Sequence, residues 1–272
     1  MLDDLVLAVL TFIIGASVGS FLNLVADRLP AGRSIVTPRS FCESCDTPLA
    51  HKDLVPILSY IWIRGKCRYC SASIPIRFSG VEALTGALFA AIYFRYGLEG
   101  EFILVAAGVS LMLVVALIDL DHKIIPNKII LPSLVVLLIL SPFWTEMGIS
   151  RTFLGNDNLG GTVINSVLSG LGASMFFLVI ALIYPSGLGM GDVKLGGVIG
   201  LLVGYPGALL ALWLAIVVGG VVAVGLVLFT KFGRKDAIPF GPFLSMGAVV
   251  ALLAEGDLLS WYSDVGDLLA GT

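Results

Sequence analysis

Charge is what this chain has least of. Among 272 residues only 13% are Asp, Glu, Lys or Arg, while 58% are hydrophobic and the mean hydropathy is +1.02. Soluble domains carry about 25% charge. A globule of this length could not be covered with polar surface, so an ordinary soluble enzyme, a disordered chain and a collagen-like chain are excluded. A basic excess is also missing. The 16 Lys and Arg against 19 Asp and Glu leave a net charge of −3, which removes nucleic acid as an expected partner. No internal repeat is evident.

What is present is apolar sequence in lengths that suit a lipid bilayer. A hydrocarbon core of about 30 Å takes about 20 helical residues. Eight stretches are candidates: 5–26, 80–96, 102–118, 129–144, 162–184, 193–204, 207–230 and 238–254. The expected fold class is therefore an all-α polytopic membrane protein with about eight transmembrane helices. The 193–204 stretch is short and glycine-rich, as expected of a helix tilted or sunk in protein. The 32 glycines fit close helix approach in a membrane bundle. The start, Met1-Leu2-Asp3-Asp4, is acidic and leads into a long apolar run, so it reads as a retained helix rather than a secretory signal.

Basic residues set the expected orientation. With Met1 outside, fourteen of the 16 Lys and Arg fall in or beside the inside segments 27–79, 119–128, 185–192 and 231–237. Only Arg95 and Arg151 lie outside. Both termini are expected outside, and the tail carrying Glu255, Asp257, Asp264 and Asp267 is acidic. The segment 145–161 is a polar loop without a functional signal.

The inside loop 27–79 holds eight of the basic residues and all four cysteines, spaced Cys42-x2-Cys45-x21-Cys67-x2-Cys70. Two thiolates three positions apart can share one tetrahedral ion, as in zinc ribbons. A module this small lacks the core to fold alone, and a metal staple would supply what is missing. Disulfides need an oxidising compartment, against the expected orientation; free thiols are the third alternative. Four cysteine ligands leave no open position, so the metal would be structural. The expected organisation is a first transmembrane helix (1–26), a cytoplasmic zinc-ribbon-like module (27–79) and a seven-helix core (80–272).

Two aspartates border apolar stretches on the basic side. Asp119 closes an uncharged run, and Asp192 sits in Gly187-Leu188-Gly189-Met190-Gly191-Asp192. Acids at membrane depth are costly and usually functional. They could instead be helix-end charges partnered by Lys123 and Lys194. Two carboxylates that meet share a proton, so one can act as general base on water while the other polarises a carbonyl. Peptide hydrolysis near the membrane surface fits that pair, and cation binding or proton relay in an ion transporter is the remote alternative.

At these residues the chain resembles the type IV prepilin peptidases, the membrane GxGD aspartyl proteases. The likeness runs through Gly19-Ser20-Phe21-Leu22-Asn23, Arg28-Leu29-Pro30, Pro38-Arg39-Ser40 and the cysteine module. It continues through Pro56-x-Leu58-Ser59-Tyr60, Val81-Glu82-x-Leu84-Thr85-Gly86, Asp119 and Gly189-Met190-Gly191-Asp192. The resemblance implies cleavage of the basic leader of prepilins or type II secretion pseudopilins, after a glycine, at the cytoplasmic face of the bacterial inner membrane. It gives Asp119 and Asp192 the catalytic roles and makes Gly189 and Gly191 an active-site loop. It also implies methylation of the new N-terminus with S-adenosylmethionine; a peptidase without methylation is the alternative. No Rossmann fingerprint marks a methyl-donor pocket. Asn23, Glu82 and Asp121 are polar candidates for supporting the site. Asp121 lies about 200° around a helix from Asp119 and is expected to point elsewhere. The chain departs from the family at Asp27, Glu43 and Asn127, where histidine, proline and aspartate are common.

Overall fold

The computed structural model describes residues 2–147, 151, 158–185, 187–229 and 238–254. The basic segment 231–237 and the acidic tail, both used above for orientation, lie outside the described residues. The helices are α1 (Leu2–Arg28), α2 (Leu58–Trp62), α3 (Ile76–Tyr96), α4 (Gly100–His122), α5 (Asn127–Leu140), α6 (Leu159–Ile183), α7 (Met190–Val203), α8 (Gly207–Phe229) and α9 (Gly241–Ala254). No strand occurs among the described residues, only two isolated bridges in the cysteine module. Among the described residues, five helices (α1, α3, α4, α6 and α8) are long and apolar enough to cross a membrane. Helices suit that solvent because each satisfies its own backbone groups. The other three apolar stretches form the shorter helices α5, α7 and α9. The chain divides into two compact units, Met1–Leu117 and Ile118–Thr272.

In the first unit, α1 packs on α3 through glycines at van der Waals limits. A Cβ on Gly15 would lie 2.7 Å from the Thr85 carbonyl, and one on Gly19 would lie 2.9 Å from the Glu82 Cα. From the other side, Gly86 faces the Phe12 backbone. The Gly15-x3-Gly19 spacing is the small-residue pattern by which membrane helices approach without a hydrophobic driving force. The opposite face of α1, including Leu5, Val9 and Ile13, stays exposed, as a lipid-facing surface should.

The cysteine module contains a repeat that composition hides. Its two knuckles have the same hydrogen-bond register. The Cys42 N–H donates to Thr47 and that of Cys67 to Ala72; the Asp46 N–H donates to Cys42 and that of Ser71 to Cys67; the Leu49 N–H donates to Ser40 and that of Ile74 to Gly65. The bridges Phe41–Pro48 and Lys66–Ser73 match as well, and Asp46 and Ser71 both take positive φ, 52° and 62°. Every pair is offset by 25 residues (67 − 42 = 25). Apart from the cysteines the two copies share no side chain, which is why the sequence shows no repeat.

In the second unit, α7 is nearly encased. Residues 192–203 are buried except for the half-buried Lys194, and at 1.5 Å per residue the length of α7 is about 21 Å, short of a bilayer core. Gly196, Gly197 and Gly200 lay its backbone against α6, at Phe177, Ser174 and Ser169 respectively. The segment 145–161 was expected to carry no signal, yet Arg151 is buried at the C-terminal end of α7. It donates to Ser166 Oγ at 2.7 Å and to the carbonyls of Leu201 and Leu202, and lies over the Trp144 ring. A cation there satisfies carbonyls the helix cannot pair and meets the negative end of its dipole.

Candidate active site and metal centre

Asp119 lies one turn before the end of α4 and is 5% exposed; Asp192 lies at the third position of α7 and is 9% exposed. Each is tied to the start of a helix by a glycine N–H. Gly241, the first residue of α9, donates to Asp119 Oδ2 at 2.9 Å. Gly189, the cap of α7, donates to Asp192 Oδ2 at 3.1 Å. Such carboxylates satisfy free N–H groups and sit at the positive end of a helix dipole. The two acids are near enough to feel each other's charge.

Neither aspartate has an ion-pair partner among the described residues. Lys194 instead donates to Asn127 at 2.8 Å, so the lysine next in sequence does not neutralise Asp192. Two buried acids without counter-ions can hold a proton between them and act as a general acid and base pair. Gly191 lets α7 meet the loop after α4, since a Cβ there would lie 2.8 Å from Ile125 Cβ.

The three supporting candidates have separate fates. Asp121 is exposed at the end of α4. Asn23 and Glu82 belong to the first unit. Asn23 Nδ2 donates to the Phe78 carbonyl at 3.0 Å, and Glu82 Oε2 accepts from the Ile57 N–H at 2.7 Å. Glu82 thereby ties α3 to the cysteine module. Asp27, one of the sequence departures, pairs with Arg77 at 3.0 Å. Gly241 was missed because it acts through its backbone N–H; the signal was its place between Phe240 and Pro242, opening an apolar stretch.

The four cysteines are free thiols, and their sulfurs all lie within 4.8 Å of one another. Cys42 and Cys70 Sγ are 3.7 Å apart. A tetrahedral zinc with bonds of about 2.3 Å holds its sulfurs about 3.8 Å apart, whereas a disulfide needs about 2.05 Å. The donor set fits a thiolate-bound metal. Side-chain and backbone hydrogen bonds with Thr47 bring the Cys45 thiol down to about 7. Cys70, despite the N–H of Ala72, is pushed up to about 12 by burial and by the other thiols. A metal ion would displace that last proton.

Comparison with known proteins agrees with both halves of this architecture. Residues 13–96 match the Bacterial Peptidase A24 N-terminal domain, and residues 106–224 match the Type IV leader peptidase family. A prepilin leader peptidase/N-methyltransferase of Bacillus subtilis (strain 168) is 31% identical over 254 residues, spanning 92% of this chain and 96% of the relative. The protein of that name from Aeromonas hydrophila is 30% identical over 280 residues, spanning 93% and 92%. That from Myxococcus xanthus (strain DK1622) is 35% identical over 225 residues, spanning 82% and 64%. No solved structure matches. The cysteine module falls within the first matched region and both buried aspartates within the second, and the chain belongs to the type IV leader peptidase family.

Proposed function

We propose that this chain is a prepilin leader peptidase and N-methyltransferase, with Asp119 and Asp192 as its catalytic pair. The observation that carries the peptidase half is two buried carboxylates, without counter-ions among the described residues, each fixed by a glycine N–H at a helix start. One deprotonated carboxylate takes a proton from water as the water attacks the scissile carbonyl. The other, protonated, donates its proton to the carbonyl oxygen; the first then passes the proton it took from water to the leaving amine, and the second recovers its own as the carbonyl re-forms. The substrate is an apolar helix with a basic leader, cut after a glycine, where a helix unwinds most readily. The basic residues favour a cytoplasmic site in the inner membrane with both termini outside.

Methylation follows at the amine that cleavage frees. S-adenosylmethionine, when bound, supplies the methyl: the amine, having given one proton to solvent, forms the N–C bond, and the S–C bond breaks with its electron pair left on sulfur. Incubating purified protein with a prepilin and methyl-labelled donor tests both halves. The expected result is label on cleaved pilin; cleavage without label leaves a peptidase alone, and no cleavage defeats the proposal.

Cys42, Cys45, Cys67 and Cys70 would hold one structural zinc. Metal analysis should give one zinc per chain, lost in the Cys42→Ser/Cys67→Ser double variant. A fully active, metal-free protein would contradict this.

Gly241 is proposed to position Asp119. A Cβ at this position would lie 2.7 Å from Asp119 Oδ2, so Gly241→Ala must displace the carboxylate or α9. Cleavage is expected to fall by about 10²-fold in kcat with little change in KM, since misplacing a reacting group by about 1 Å costs that much. An unchanged kcat would remove Gly241 from the site.

A further inference from the structure

Within the first unit, α1, α3 and the cysteine module line a cavity of about 480 Å³. That is in the ~300–1,000 Å³ range of small-molecule sites. A larger cavity of about 890 Å³ between α6 and α8 is walled mainly by apolar side chains such as Leu168, Phe176, Leu209 and Trp213, which suits lipid chains rather than a charged ligand.

The smaller cavity leaves polar groups unmatched. Glu82 lines it, is 9% exposed, and has the neutral N–H of Ile57 as its partner, with no cation paired to it among the described residues. Asn23 lines it too, 4% exposed, and its Oδ1 accepts no hydrogen bond from the described residues. The other acids on these walls have arginines: Asp27 has Arg77, Asp53 has Arg68 and Glu43 has Arg33. A buried carboxylate facing only a neutral donor, together with a buried acceptor facing none, is matched by a cationic ligand.

We infer that this cavity binds the methyl donor S-adenosylmethionine, with Glu82 and Asn23 Oδ1 holding its cationic end. The inference rests on the methyltransferase half of the function proposed above. It also gives the site a direction. Methyl transfer leaves a neutral sulfur, so Glu82 holds the donor more strongly than the demethylated product.

The test is equilibrium dialysis of the full-length protein in detergent with labelled S-adenosylmethionine and S-adenosylhomocysteine, together with photocrosslinking of the donor. Glu82→Gln keeps an oxygen for the Ile57 N–H but removes the charge. It should weaken donor binding by at least about tenfold, the worth of one charge-assisted contact, and weaken product binding less. Crosslinks to the unaltered protein should map within residues 20–82. Wild-type affinity in Glu82→Gln, or crosslinks elsewhere, overturns the pocket while leaving methylation intact. Unchanged donor binding with a raised KM for prepilin gives the cavity to the basic leader instead and also overturns it. If the unaltered protein binds no donor, the methyltransferase reading itself falls.

Discussion

Asp119→Asn and Asp192→Asn should each lower leader cleavage by at least about 10³-fold, while the protein still inserts and keeps its metal. Asparagine is the informative replacement because its oxygen can still accept the glycine N–H that holds each carboxylate, from Gly241 at 2.9 Å and from Gly189 at 3.1 Å. The helix starts therefore stay anchored. Only the ability to take or give a proton is lost, and that ability is worth about 10²–10⁴ for one positioned group. Residues acting as a unit exceed the lower end of that range when either is removed. The assay is cleavage of a purified prepilin in detergent or liposomes. Near-normal processing by either variant would mean that the pair is not the machinery.

Gly200→Val should be the most damaging change away from the aspartates. A Cβ at this position would lie 2.3 Å from the Ser169 carbonyl oxygen, 2.5 Å from its carbon and 2.6 Å from the Gly170 Cα. These are all backbone atoms of α6, so no rotamer change can make room. Overpacking of this kind costs about 1–3 kcal/mol where side chains can yield, and here the two helices must move apart. Because α7 carries Asp192 at its start, the loss of packing reaches the site. The expected outcome is a large fall in thermal stability in detergent together with loss of cleavage. Gly172 on α6 is the control: a Cβ there meets nothing within 4 Å, and Gly172→Ala should be neutral or stabilising by up to about 1 kcal/mol. Equal stability of Gly200→Val and the parent protein would refute the close α6–α7 contact.

The parts of this architecture that were legible in the sequence are those written in composition and short spacing. Apolar runs marked the helices, the two CxxC pairs marked the cysteine cluster, and the scarcity of charge made Asp119 and Asp192 conspicuous. What remained hidden depends on long-range backbone contacts. Gly241 meets Asp119 across 122 residues through an N–H every residue but proline possesses. Arg151 reads as an ordinary loop cation until the carbonyls of Leu201 and Leu202 are seen at its guanidinium. The two knuckles repeat in hydrogen bonds rather than in side chains. Asn23 and Glu82 are legible as polar candidates near an expected membrane face, but polarity does not say which groups they touch. Within the first unit they contact Phe78 and Ile57 and line a cavity beside the cysteine module.

The most direct test of the central claim is a double-mutant cycle on kcat/KM for leader cleavage, comparing the parent protein with Asp119→Asn, Asp192→Asn and the double variant. If the two aspartates share one proton-transfer task, the double variant should be no slower than the slower single variant. A double variant whose loss is the product of the two single losses would show two independent contributions and contradict the pair.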